Sequence, residues 1–137
     1  MVNAGDKFTE HFVVSTEVYE GFIAIFGDRH PLHTDAQYAV ARGFRSVVMH
    51  GNILNGFLSY FIGECLPDRE VMILSQEIKY KRPVYIGDQL TLEAEVVDVH
   101  HSVNLMEFAC KFRNMADGKI VASAKINVGK TTVSNGT

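Results

Sequence analysis

The chain has 137 residues, 47% of them apolar and 21% charged, with a net charge of −3. That length suits one domain with a buried core, and the acidic balance argues against a nucleic-acid partner, which needs a basic face. No apolar run is long enough to span a bilayer, because the best candidate, Ile53 to Ile62, is short and holds Asn55, Gly56 and Ser59.

Met1 to Phe12 has no apolar stretch of the kind a secretory leader carries, so none is expected. Phe8 to Val14 reads as a strand. Ser15 or Thr16 caps the helix that follows, and Glu17 and Glu20 sit near its positive end. Val18, Phe22, Ile25 and Phe26 form one apolar stripe at helical spacing, and Gly27 is placed to end the helix. Thr34-Asp-Ala-Gln37 fits a capping box for a second, short helix that Gly43 ends, which puts His33 immediately before a helix start. A third helix is expected from Asn52 to about Gly63. Apolar residues cover much of its circumference, so it should be buried, and Pro67 prevents its continuation.

Four strands with period-two alternation follow. Met72, Leu74, Ile78 and Tyr80 should share a face of the first. Leu90, Leu92, Ala94 and Val96 form the apolar face of the second. Met106, Phe108, Cys110 and Phe112 do so for the third, and Ile120, Ala122, Ala124, Ile126 and Val128 for the fourth. His100 to Ser102 and Asn114 to Gly118 supply turns. The tail from Lys130 to Thr137 is polar and expected to fray. One antiparallel sheet with a buried helix is an α+β domain in which the sheet wraps the helix. Cys65 and Cys110 show no metal or redox spacing, which suits a reducing, cytoplasmic setting.

The densest chemistry lies in Phe26 to Asp35, where Asp28 and His33 stand five residues apart with Pro31 between them. On a straight helix that spacing would splay them. A proline turn lets both converge, and a carboxylate and an imidazole facing one water make a general acid/base site. The same residues would also serve as a plain polar loop. Asp28, His30, His33 and Asp35 could be read as metal ligands. However, Asp35 is better employed at the helix start and His30 is restricted by the following proline, so no metal and no cofactor are expected. Lys79, Lys81 and Arg82 read as a solvated strand face rather than a phosphate site, and His50 reads as a structural histidine.

Gly27-Asp-Arg-His-Pro-Leu-His-Thr-Asp35, His50-Gly51 and Tyr80-Lys-Arg-Pro-Val-Tyr-Ile-Gly-Asp88 together resemble the MaoC-like dehydratases and (R)-specific enoyl-CoA hydratases. The resemblance runs from Phe8 to Val128 and implies one hot-dog domain over 1–137, a central helix wrapped by an antiparallel sheet and paired as a homodimer. It implies an acyl thioester substrate, carried on coenzyme A or an acyl carrier protein, to which water is added reversibly. Asp28 and His33 match the catalytic pair, Gly51 the glycine whose N–H binds the thioester carbonyl, and Ser59 a serine near the carboxylate. Read without the resemblance, Gly51 is also a simple turn residue and Ser59 a hydroxyl bonded to a helix carbonyl. His30 departs from the motif, where asparagine is more frequent, and is expected to keep a supporting role. A hot-dog thioesterase and a non-catalytic acyl-thioester-binding subunit are the alternatives within the same fold.

Overall fold

The computed structural model describes residues 2–131. Five strands form one antiparallel sheet in the order β1-β3-β4-β5-β2: β1 Lys7–Val13, β2 Val71–Tyr80, β3 Gln89–His100, β4 Leu105–Asn114 and β5 Ile120–Lys130. Four helices lie between β1 and β2: α1 Thr16–Phe26, α2 Pro31–Thr34, α3 Ala36–Ala41 and α4 Asn52–Tyr60. Past Tyr60 the helix widens into one π-helical turn, Phe61–Cys65, so the third expected helix is present but not uniform.

The core is the inner face of the sheet closed over α4. Leu90, Leu92, Val96, Phe108, Phe112 and Ile126 pack with Ile53, Leu58, Phe61 and Ile62 in one buried cluster. The Phe61 ring meets Phe8 and Phe108 edge-on, at 5.8 and 6.1 Å between centroids. Burying side chains of this size contributes on the order of 1.5–3 kcal/mol each, which explains why a helix with glycine at position 56 is retained at the centre. The alternating faces of β3, β4 and β5 are inward as their sequence pattern requires.

β2 departs from expectation. Val71, Ile73 and Ile78 are its half-buried residues, while Met72, Leu74 and Tyr80 are about half exposed. A bulge between Ile73 and Ser75, where β2 pairs with β5, shifts the register. The inward parity therefore changes from odd to even numbers along the strand. In α1, likewise, Val18 and Phe22 pack on the core but Ile25 and Phe26 are 76% and 69% exposed. At the C-terminal end, Lys130 belongs to β5 and pairs with Asp68, so the polar tail starts later than the composition suggests. Residues 132–137 of that tail lie outside the described residues.

One turn ties the sheet to the helical half. In Pro83 to Asp88 the Asp88 carboxylate accepts from the Tyr85 N–H at 2.9 Å, and Gly87 adopts φ +91°, a conformation that favours glycine. Gly87 donates to the Val14 carbonyl, Val14 donates back to the Asp88 carbonyl, and Met49 donates to the Val84 carbonyl at 2.7 Å. The segment leading to His50-Gly51 is thereby held against the end of β1.

Candidate active site

α1 ends where Gly27 takes φ +74° and its N–H bonds the Ile23 carbonyl, a left-handed stop that suits glycine. Asp28 therefore leaves the helix end at once. Its Oδ1 accepts the His30 N–H at 3.1 Å. That bond is the largest influence and holds the Asp28 carboxyl below its ordinary range; desolvation opposes it, and the neighbouring imidazoles add to the lowering.

Pro31 starts its own single turn, α2, and the His30 ring caps it by accepting the Leu32 N–H at Nδ1, 3.1 Å away. Asparagine caps by the same acceptor geometry, so His30 performs locally what the more frequent residue would. The capping box expected at Thr34 is displaced by one residue. Asp35 caps α3 by accepting from Gln37 and Tyr38, while the Thr34 hydroxyl donates to the carbonyls of Arg29 and His30. The cause is the separate turn nucleated at Pro31, which ends at Thr34. His33 thus lies inside α2 rather than just before a helix.

His33 is fixed from two sides. The Tyr19 hydroxyl donates to its carbonyl at 2.6 Å, and its Nδ1 donates to the Val48 carbonyl at 2.6 Å. Because a carbonyl only accepts, the proton of the neutral ring is on Nδ1 and Nε2 carries a free lone pair.

Sequence reasoning gave His50 no part in the site. The ring is 3% exposed. It stacks on His33 at 4.0 Å with planes 28° apart, its Nε2 donates to the backbone carbonyl of Asp28 at 2.9 Å, and it also packs on Phe22 at 4.6 Å. Its Nδ1 is buried without a partner among the described residues. With Nε2 engaged as a donor, that atom in the singly protonated ring is a bare lone pair. Only its position directly before Gly51 hinted at this role.

An oxygen of Asp28 and one ring nitrogen each of His33 and His50 lie within 4.8 Å of one another. One water reaches groups separated by up to about 5.5 Å, twice a hydrogen-bond length. A metal would fit less well, since stacked imidazoles point their in-plane lone pairs side by side rather than toward one centre.

Gly51 stands at the N-terminus of α4, and among the described residues no acceptor takes its N–H. A free amide there, at the positive helix end, suits a developing oxyanion. Ser59 is exposed on α4 and borders neither of the two cavities flanking the helix start. One of those spaces is an apolar groove of about 820 Å³ with Asp28 at its edge, walled by Val18, Phe22, Ile25, Phe26 and Phe57. The exposed Ile25 and Phe26 belong to it. Phe61 does not, being fully buried in the core. The other, of about 400 Å³, is bordered by His50, Gly51 and Tyr80.

The profile of the MaoC like domain family matches residues 4–115. The chain belongs to this family. It is 36% identical over 75 residues to an (R)-specific enoyl-CoA hydratase of Aeromonas caviae, covering 55% of this chain and 56% of that protein. It is 30% identical over 97 residues to a 3-hydroxybutyryl-CoA dehydratase of Methylorubrum extorquens, covering 71% of this chain and 62% of that one. The matches thus span about three fifths of those relatives' length. An R-hydratase of Pseudomonas aeruginosa, solved without ligand, superposes with a TM-score of 0.85 at 29% identity, covering 96% of this chain and 84% of that one. This MaoC-like chain therefore has the hot-dog fold that its motifs implied.

Proposed function

We propose that this chain adds water to trans-2-enoyl thioesters to give (R)-3-hydroxyacyl thioesters, and removes it in reverse. The observation that carries this reading is the convergence of the Asp28 carboxylate with the His33 ring beside an apolar groove. The names of the relatives point the same way.

Water sits between the Asp28 carboxylate and His33 Nε2. Asp28, kept ionised by the His30 N–H, orients the water and stabilises positive charge on the ring. As the water oxygen bonds the β-carbon, His33 Nε2 takes its proton. The π electrons move to the thioester oxygen, where the Gly51 N–H meets the enolate charge. The imidazolium then delivers the proton to the α-carbon, restoring the carbonyl and leaving the enzyme unchanged. The groove at Phe22 and Phe57 takes the acyl chain.

The chain works as a homodimer in this reading, because β1 and β2 are both open edges of the sheet. The unpaired thiols of Cys65 and Cys110 favour a reducing, cytoplasmic setting. Among the described residues no helix is long and apolar enough to cross a membrane. The substrate's carrier is coenzyme A or an acyl carrier protein.

The test follows enoyl absorbance and thiol release in parallel on enoyl-CoA substrates of several lengths. Loss of absorbance without thiol release is expected. Thiol release alone would replace the hydratase with the thioesterase.

A further inference from the structure

β2 ends at Tyr80, next to the start of α4. A Cβ placed on Gly51 would lie 2.8 Å from two ring carbons of Tyr80 and 3.1 Å from its hydroxyl oxygen. The phenol is therefore stationed against the very residue whose amide is free. Both residues border the same cavity of about 400 Å³.

The hydrogen-bonding of the phenol is one-sided. Its oxygen accepts from the Asn55 side chain at 3.3 Å, and Asn55 is itself held by a bond to Asn52 at 2.8 Å and by Gln76. Among the described residues nothing accepts the Tyr80 proton. A hydroxyl whose lone pair is engaged and whose proton is unused presents that proton to whatever enters the cavity. Partial burial raises the Tyr80 pKa above the ordinary phenol value, so the proton is retained at neutral pH.

We propose that Tyr80 is a catalytic residue that donates a second hydrogen bond to the thioester carbonyl oxygen, opposite the Gly51 N–H. The inference rests on the enoyl thioester reading and completes it. Two donors from different elements, a helix start and a strand end, then meet the oxygen on which charge develops. Tyr80 keeps its proton throughout. Its bond shortens as the β-carbon is attacked and relaxes when the α-carbon is protonated. The bond is worth most in the enolate, so it acts on kcat more than on KM.

The deciding variant is Tyr80→Phe, which removes one half-exposed oxygen and keeps the ring. With crotonyl-CoA as the probe, kcat should fall about tenfold or more, within the range for loss of an oxyanion donor, while KM stays within about twofold. A coenzyme A thioether that lacks the carbonyl oxygen should bind wild type and Tyr80→Phe equally. Wild-type kcat in Tyr80→Phe, with Asp28→Asn inactive, would overturn the role of Tyr80 and leave the hydratase reading standing. A wild-type protein that hydrates none of the enoyl-CoA probes would sink that reading, and this role with it.

Discussion

His50 lies face to face with His33, centroids 4.0 Å apart, while its Nε2 holds the backbone carbonyl of Asp28 at 2.9 Å. One buried ring thus sets the plane of the imidazole and anchors the residue bearing the carboxylate. His50→Phe keeps the stack and drops the bond, and His50→Gln keeps a donor and drops the stack. Each should lower kcat by about tenfold, as for misplacement of an acid/base pair, with KM little changed. Steady-state kinetics paired with thermal melts check this. Wild-type kcat in both variants would reduce His50 to packing.

Asp28→Asn and His33→Ala should each cost about 10²-fold or more in kcat, the scale of a general acid/base group. The two losses should not add, because each group acts through the same water. A double variant no worse than either single one is the expected kinetic result.

The Asp28 carboxyl titrates below its ordinary range because the His30 N–H bonds it. The sign of the linkage follows. Ionised Asp28 stabilises the fold at pH above the unfolded aspartate value, and that contribution disappears as pH falls through the lower folded value. The stability difference between wild type and Asp28→Asn should therefore be flat near neutral pH and shrink only in strong acid. Carbon-13 titration of the carboxyl, with a midpoint below that of a free aspartate, is the direct check.

His30→Asn should preserve both stability and activity, since the amide oxygen replaces Nδ1 as acceptor for Leu32. His30→Ala removes the cap and should cost about 1 kcal/mol, with a fall in kcat because α2 carries His33. Thermal denaturation of the three proteins separates the two effects.

Gly51→Ala pushes a methyl into the Tyr80 ring. The ring is half exposed and can swing aside, so the melting temperature should change little. Alanine keeps the backbone N–H, but its methyl displaces the Tyr80 hydroxyl and crowds the approach of the carbonyl to that N–H, so hydration should fall about tenfold or more, as for a misplaced reacting group. Unchanged hydration in Gly51→Ala would show that the carbonyl does not approach the backbone closely at this position.

The sheet was legible because β3, β4 and β5 alternate cleanly, and parity alone orients such strands. Asp28 and His33 were legible because chemistry and a proline crowd into ten residues. The bulge in β2 was not, since its residues keep a regular pattern on both sides of Ser75 and only pairing with β5 shows the slip. The cap at Asp35 was missed because Thr34 fits a capping pattern equally well by spacing. His50 and Tyr80 escaped for a deeper reason. They reach the site by contacts of long sequence separation, which a linear pattern does not record.

Val48 accepts from His33 Nδ1, and its neighbour Met49 donates to Val84 in the turn that Asp88 closes. The His33 ring is therefore moored, through two adjacent peptides, to a surface corner between two strands. Warming that corner would slacken the ring well before the sheet lets go. Gentle heating should abolish the proposed hydration reversibly while the circular dichroism still reads as native.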